Sequence, residues 1–340
     1  MHEIKYLGID IGGAHLKVIG LNSHKEIIFV EYKKCKVWEG VEKLKKAFQK
    51  INNTINNKSV KCAITMSAEL CDNFKSRKHG ANKIVGTCKH IEFDNYFYTS
   101  SKKVFSKKPK YKELISMNWH GIGKFLETKI KNAILIDFGS TTTDFICIKN
   151  YKLINEYIDD FSRLNNHELL YTGLTRTPIF GLTSQLYLKN NLLNIIPEFF
   201  STTSDIYRIL KKLNKNIDLD DTANNSQKTL KESMIRVSRS FGFDYETKNK
   251  EKVKLISKKL SLIQLDKIFN TTKKLKNKHN LNKAPIIVSG IGQDILLEYF
   301  KKKKFKVEYF QKFFKKSQLR KEATFHAPAL SIALLLQELK

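Results

Sequence analysis

Two loops that combine glycine with aspartate, more than a hundred residues apart, constrain this 340-residue chain more than any other feature. The first is Gly8-Ile-Asp-Ile-Gly-Gly13 and the second is Ile136-Asp-Phe-Gly-Ser-Thr-Thr-Thr-Asp144. Each ends an apolar run of β character, Tyr6 to Ile11 or Ala133 to Ile136, and is followed by another, His15 to Leu21 or Asp144 to Lys149. Both therefore read as hairpin turns and not as the strand-to-helix entry of a P-loop or dinucleotide site. Glycine lets such a turn close tightly, its successive N–H groups point into one concavity, and Ser or Thr hydroxyls add donors for anionic oxygens. One loop of this kind is commonly only a hairpin. Two in one chain read as opposite jaws of a phosphate clamp, with Gly12, Gly13, Gly139, Ser140, Thr141 and Thr142 as the cradle. Asp10 and Asp137 sit at the strand ends, where carboxylates suit a hydrated Mg²⁺. A third element, Pro285 to Ser289, runs into Gly290-Ile-Gly292 and an apolar-periodic helix from Asp294 to Phe300. That turn is a candidate to lie flat against a nucleotide or another planar group.

With 41% hydrophobic residues the chain is long enough for two cores, at about 150 residues per domain. The expected division is residues 1–131 plus 326–340, carrying the first loop, and residues 132–325, carrying the second loop and the Gly290 turn. Ligand would sit in the cleft between them. The terminal helix, Pro328 to Leu339, is expected to cross back onto the first domain. The longest apolar stretch, Ala327 to Leu336, is too short for a bilayer needing about 20 residues, and no signal-like segment precedes Gly8. We expect a cytoplasmic protein that does not bind membranes. Five cysteines form no C-x-x-C pair and nine histidines show no H-x-x-x-H spacing, so neither disulfides nor zinc are indicated. Cys62 and Cys147 read as buried small hydrophobes; Cys71 is either core filler or a functional thiol.

The net charge of +29 would ordinarily suggest nucleic acid as a partner. Of the 62 basic residues, however, seven are arginines and 55 are lysines dispersed along the chain, whereas fork-geometry readout of bases or phosphates favours Arg. We read the excess as a solvated surface whose field would steer an anionic substrate. Lys301 to Lys304 and Lys315-Lys316 are the densest runs.

Between the loops, Glu26 to Tyr32 reads as a strand, Val37 to Ile51 as an amphipathic helix with Leu44, Phe48 and Ile51 on one face, and Val60 to Met66 as a strand. Glu69 and Asp72 would share a face if their segment is helical. Val85 to Ile130 gives no clear order, apart from Asn118-Trp-His120 opening a segment to Lys129. After the second hairpin come a loop from Tyr171 to Pro178, helical stretches through Leu213, a flexible polar bridge from Asp218 to Gln227, and two helices before Pro285.

The order of first loop, second loop and late Gly-x-Gly turn resembles the actin/Hsp70/sugar-kinase superfamily. This implies an α/β, two-domain, ribonuclease H-like fold with a central cleft. Five further segments narrow the likeness: Gly12-Gly-Ala-His-Leu-Lys17, Thr65-Met-Ser-Ala-Glu-Leu-Cys-Asp72 with Phe74 and Arg77, Tyr171-Thr-Gly-Leu-Thr-Arg-Thr-Pro178, Thr202-Thr-Ser-Asp205 and Ala327-Pro-Ala-Leu330. They resemble the tetrahydromethanopterin-linked C1-transfer members of the hydantoinase/oxoprolinase family, while the stretches Lys211 to Asp220 and Thr247 to Lys259 match nothing in that pattern.

The resemblance implies a transferase of methanofuran-type C1-carrier biosynthesis, which condenses an aminomethyl-furan-methyl diphosphate with a phenolic amine such as γ-glutamyltyramine and releases diphosphate. Asp10 and Asp137 would then hold Mg²⁺, and Lys17 would reach the diphosphate unless it is only a surface lysine. Arg176 would clamp phosphate or a glutamyl carboxylate unless it serves a structural ion pair. Glu69, Asp72, His120 and Asp144 are candidates for the base, with Asp144 alternatively bracing its loop. Thr202, Thr203 and Asp205 match the family or simply cap a helix. The same superfamily allows ATP as the ligand, with Gly290 and Gly292 against adenine, in a kinase or ATP-dependent amidohydrolase. It also allows a nucleotide-gated scaffold like actin or a chaperone. The sequence carries no signal for oligomeric state.

Overall fold

The computed structural model describes residues 3–57, 59–101, 103–314 and 319–339; the Lys315-Lys316 run lies outside them. Its first sheet is built from β1 (Tyr6–Ile11), β2 (His15–Leu21), β3 (Ile27–Lys34), β4 (Lys61–Met66), β5 (Asp94–Tyr98) and β6 (Phe105–Ser106), in the order β3-β2-β1-β4-β5-β6. The second half begins with β7 (Asn132–Phe138), β8 (Thr143–Lys149), β9 (Lys152–Leu153) and β10 (Leu169–Leu170), continues through a hairpin of β11 (Gln185–Leu188) and β12 (Asn191–Asn194), and ends with β13 (Ile286–Ser289) and β14 (Val307–Tyr309). Its main sheet runs β10-β8-β7-β13-β14, with β9 beside β8.

The two sheets repeat one design. β1 pairs antiparallel with β2 and parallel with β4, and β7 pairs antiparallel with β8 and parallel with β13. A carboxylate therefore occupies the penultimate position of each central strand, Asp10 and Asp137, beside its hairpin turn.

Side-chain alternation explains how the layers stack. Along β7 and β8, Ile134, Ile136, Phe138, Phe145 and Cys147 face a core formed with the long helix Lys250–Lys278, while Ala133, Leu135, Ile146 and Ile148 face the other way. That second face meets Ile19 and Leu21 of β2 and the helices Asn118–Glu127 and Ala327–Glu338 in a core shared by both sheets. β1 and β4 turn Leu7, Ile9, Cys62 and Ile64 outward onto the helix Val41–Thr54. The terminal helix lies so close to β1 that a Cβ on Gly8 would stand 1.9 Å from the Ala329 carbonyl oxygen. Gly8 thus serves helix packing.

Several local expectations change. The predicted helix from Val37 is interrupted at Gly40, whose φ of 124° separates a 3₁₀ turn, Val37–Glu39, from the helix Val41–Thr54. The Glu69–Asp72 segment consists of turns and shares no helical face, because Ala68 to Phe74 is closed by short-range backbone bonds from Cys71 and Phe74. The helical reading towards Leu213 missed the β11/β12 hairpin, which turns at Lys189 in left-handed conformation. Arginine, scarce in the chain, is spent inside: Arg163 and Arg236 are fully buried in carboxylate pairs, which suits a group that cannot discharge. Lys301 to Lys304 is exposed at the end of the helix Gln293–Lys302. Cys62 and Cys147 are buried, and all five cysteines are free thiols. No helix among the described residues is long and apolar enough to cross a membrane.

Candidate active site

Both hairpin turns open on one cavity of about 750 Å³, and Gly12, Gly13, Gly139, Ser140, Thr141 and Thr142 all line it. Hairpin geometry brings them there: Gly12 N–H donates to the His15 carbonyl at 3.0 Å, and Gly139 N–H donates to the Thr142 carbonyl at 3.0 Å. The second turn is clamped from behind, since the Ser140 carbonyl accepts from the N–H groups of Thr175 and Arg176. Gly173 permits this approach, because a Cβ there would lie 2.2 Å from the Ser140 carbonyl oxygen. The Tyr171 to Pro178 loop is thereby tied to the second turn, and it delivers Arg176.

The two strand-end carboxylates meet different partners. Asp10 is fully buried and its Oδ2 accepts from Lys17 Nζ at 2.7 Å, the register of β1 and β2 placing the two residues opposite each other. The same register sets Asp137 opposite Asp144. Asp144 is answered by Arg163, whose Nη1 donates at 2.7 Å and whose guanidinium lies over the Trp119 ring. Among the described residues, the Asp137 carboxylate receives only the Ser289 hydroxyl, at 2.8 Å. Burial, then the Asp144 charge, pushes the Asp137 carboxyl up to about 7.

Mg²⁺ fits this donor set. Asp10 Oδ1 is buried with no hydrogen-bond partner among the described residues, and both carboxylates are hard oxygen donors that line the cavity. No cluster of three or more acidic, His or Cys side chains suited to a metal occurs among the described residues; Mg²⁺ is compatible with that, because it is commonly held by one or two carboxylates and keeps several waters.

Arg176 sits at the edge of the second turn. Its guanidinium lies 4.6 Å from the Trp38 ring centroid, and Nη1 donates to Thr141 Oγ1 at 3.2 Å. Nε is 3.8 Å from Asp220 Oδ1. Asp220 belongs to the Asp218 to Gln227 segment, which is not a free bridge as expected. It walls the cavity, tied down by Thr175 Oγ1 at 2.7 Å to Asp220, by Lys34 and Lys36 to Asp221, and by Arg208 to Asp218.

Three expectations are corrected. Glu69 does not reach the cavity: its Oε1 accepts from Ser116 N at 2.8 Å and Oγ at 3.0 Å, holding Ser116 at φ 52° in the wall. His120 does not line the cavity, and its Nδ1 lies 2.7 Å from the Tyr98 hydroxyl. Gly290 and Gly292 face the Phe138 residue of β7, with Cβ positions 2.5 Å from its carbonyl oxygen and 2.1 Å from its ring respectively. Close backbone packing demands these glycines, and only Ile291 of that turn lines the cavity. Of the other base candidates, Asp72 and Asp144 line it.

Thr202 and Asp205 form a capping box on the helix Thr203–Ile209, and Asp205 is saturated by Arg208 and Arg236. Thr203 donates to the Gly173 carbonyl at 3.0 Å, supporting the clamp behind Ser140. Cys71 borders the cavity with its thiol raised to about 11 by burial, so it stays protonated.

Sequence reasoning did not single out His15, Tyr32, Trp38, His326 or Asp220. His15 lay inside a quoted motif and Trp38 is one of only two tryptophans. The Asp218-Leu-Asp-Asp221 run in a Lys/Asn-rich stretch was the available signal for Asp220.

The profile of the hydantoinase/oxoprolinase family matches residues 61–309. A curated relative from Methanocaldococcus jannaschii, named (4-{4-[2-(gamma-L-glutamylamino)ethyl]phenoxymethyl}furan-2-yl)methanamine synthase, is 29% identical over 345 residues, covering 99% of this chain and 98% of the relative. A protein of the same name from Methanococcus vannielii is 31% identical over 61% of this chain and 91% of its own length. Among solved structures, a Listeria monocytogenes protein described as a candidate N-acetylmannosamine kinase aligns over 99% of this chain and all of its own, with a TM-score of 0.50 at 11% identity. That likeness concerns the fold, and it agrees with the actin/Hsp70/sugar-kinase architecture expected from the paired hairpins. The chain belongs to the hydantoinase/oxoprolinase family.

Proposed function

We propose that this chain is an Mg²⁺-dependent transferase that joins an aminomethyl-furan-methyl diphosphate to the phenol of an acceptor such as γ-glutamyltyramine, in methanofuran-type C1-carrier biosynthesis. The carrying observation is that the turns of both hairpins, with Lys17 and Arg176, converge on one cavity. The full-length relative named for a furan phenoxymethyl ether supports the choice of substrates.

In this reading the phenol oxygen forms a bond to the furan-bearing methylene carbon, the carbon–oxygen bond to diphosphate breaks with its electron pair leaving on diphosphate, and the phenol proton passes to a base. The protein's main task is to receive the charge that gathers on the leaving group. N–H groups at Gly12, Gly13 and Gly139 to Thr142, with the hydroxyls of Thr141 and Thr142, would cradle it, and Arg176, braced by Trp38, would add a forked cation. Asp10 and Asp137 would hold Mg²⁺, which neutralises developing oxygen charge when bound. Lys17, fixed on Asp10, keeps one positive charge beside the first turn. In this reading the cleft separates the two expected halves, residues 1–131 plus 326–340 and residues 132–325, with the terminal helix counted in the first.

The test is to incubate purified protein with the furan diphosphate, γ-glutamyltyramine and Mg²⁺, and to quantify diphosphate and ether product. Equal amounts of both, dependent on the phenol, are expected. Ether formation absent under these conditions, or strictly dependent on added ATP, would refute the proposal.

A further inference from the structure

Beside the phosphate-type turns, the cavity wall holds a histidine that the transfer reading above leaves without a role. His15 begins β2, is buried, and lines the cavity. Its Nδ1 lies 3.4 Å from Ser140 Oγ, at the centre of the second turn, and its Nε2 lies 3.3 Å from Asp220 Oδ1. The ring thus spans from the tip of one jaw to the Asp218 to Gln227 segment. Other contacts fix its plane: the Tyr32 ring lies 4.7 Å away and is itself stacked on His326 at 4.8 Å.

Resting on the transfer reading, we propose that His15 is the proton acceptor for the phenol, taking the proton at Nδ1 through the Ser140 hydroxyl, and that Asp220 positions it. Asp220, near the ring Nε2, favours the tautomer with hydrogen there and leaves the Nδ1 lone pair facing Ser140. As the phenol gives its proton to Ser140 Oγ, Ser140 passes its own to Nδ1; the phenolate oxygen bonds to the methylene carbon and diphosphate departs with the electron pair. The imidazolium formed is then paired with the Asp220 carboxylate.

The surroundings keep the ring ready for this. Burial first, then Lys17 and Arg176, hold the imidazole below its ordinary value, while Asp220 opposes them. His15 is therefore neutral at pH 7 and free to accept. From β3 and the start of the terminal helix, Tyr32 and His326 face it as uncharged rings: burial pushes the Tyr32 phenol up and lowers His326. The Thr175 hydroxyl donating to Asp220 Oδ2 at 2.7 Å anchors the positioning carboxylate.

The experiment compares two acceptors, an ordinary tyramine-type phenol and a ring-nitrated analogue that is largely ionised at assay pH. His15→Gln should lower turnover with the ordinary phenol by about a hundredfold or more. With the nitrated phenol, which needs no base, it should remain within about tenfold of wild type. Asp220→Asn should show the same pattern with a smaller loss, and it serves alone if the His15 variant does not fold. Equal loss with both acceptors, or a matching loss of diphosphate affinity by calorimetry, would overturn the assignment in favour of a leaving-group or structural role. Wild-type protein that forms ether with neither acceptor would instead sink the transfer reading.

Discussion

Asp137→Asn isolates the cost of a carboxylate that has no cation of its own. Its pKa rises from the ordinary 3.8 to about 7, because burial and the Asp144 charge disfavour ionisation. A raised carboxyl contributes stability that is fully present below the unfolded value and lost as pH climbs through the folded one, since the unfolded chain releases its proton first. Moving the carboxyl from 3.8 to about 7 corresponds to roughly 4 kcal/mol. The side chain is partly open to the cleft, so solvent relieves a share of this and we expect about 2 kcal/mol. Asparagine keeps an oxygen for the Ser289 hydroxyl and carries no charge. In metal-free buffer the variant should therefore match wild type near pH 4 and unfold about 3 °C higher at pH 8, with the difference opening between about pH 4 and 7. Thermal unfolding across that range is the assay. Added Mg²⁺ should raise the wild-type midpoint at pH 8 and move the variant much less. A variant less stable than wild type at pH 8, or a difference that does not vary with pH, would refute the reasoning.

Gly8→Ala should destabilise strongly or prevent folding, because its Cβ would overlap the Ala329 carbonyl, whereas Gly86→Ala, on an exposed helical face with open space, should stabilise by about 0.5 kcal/mol; urea unfolding of the pair reads both signs. Arg236→Ala removes one of two guanidinium partners from the fully buried Asp205 and should cost about 3 kcal/mol in the same assay. Arg176→Lys loses the stacking on Trp38 and the hydrogen bond to Thr141, and should weaken diphosphate binding about tenfold by calorimetry while leaving the unfolding midpoint in place.

The parts of this molecule legible in the sequence are those set by local pattern. β1 and β2 begin and end where the apolar runs do, since strand, glycine turn and strand are all specified within a few residues. The terminal helix was legible for the same reason, as a continuous apolar segment behind Pro328. What failed depends on partners distant in sequence. Nothing adjacent to Gly290 and Gly292 reveals that Phe138, more than a hundred residues earlier, fills the space beside them. Glu69 stood among the candidate bases because its neighbours resembled a motif, yet Ser116 claims it from another segment. The Asp218 to Gln227 segment read as flexible because it is polar and non-periodic. It is fixed by side-chain ion pairs and hydroxyls, which have no period to detect.

The near-repeat of the two hairpins sharpens what the cleft requires of its ligands. In the first, the residue opposite the strand-end carboxylate is Lys17, and that jaw carries its own cation. In the second the corresponding residue is Asp144, and like charges set opposite each other across a strand pair are destabilising. Arg163 neutralises Asp144 from outside the hairpin, and no described residue forms an ion pair with Asp137, which is left to be held protonated or to be met by a cation from solution. An anionic ligand arriving alone would add repulsion to an ionised Asp137, so the second jaw suits an anion that arrives with a divalent ion and not a bare one. Diphosphate affinity should therefore depend steeply on Mg²⁺ in the wild-type protein and much less in Asp137→Asn. Titrating both with diphosphate, with Mg²⁺ and with the metal chelated, checks this; equal Mg²⁺ dependence in the two would place the metal elsewhere.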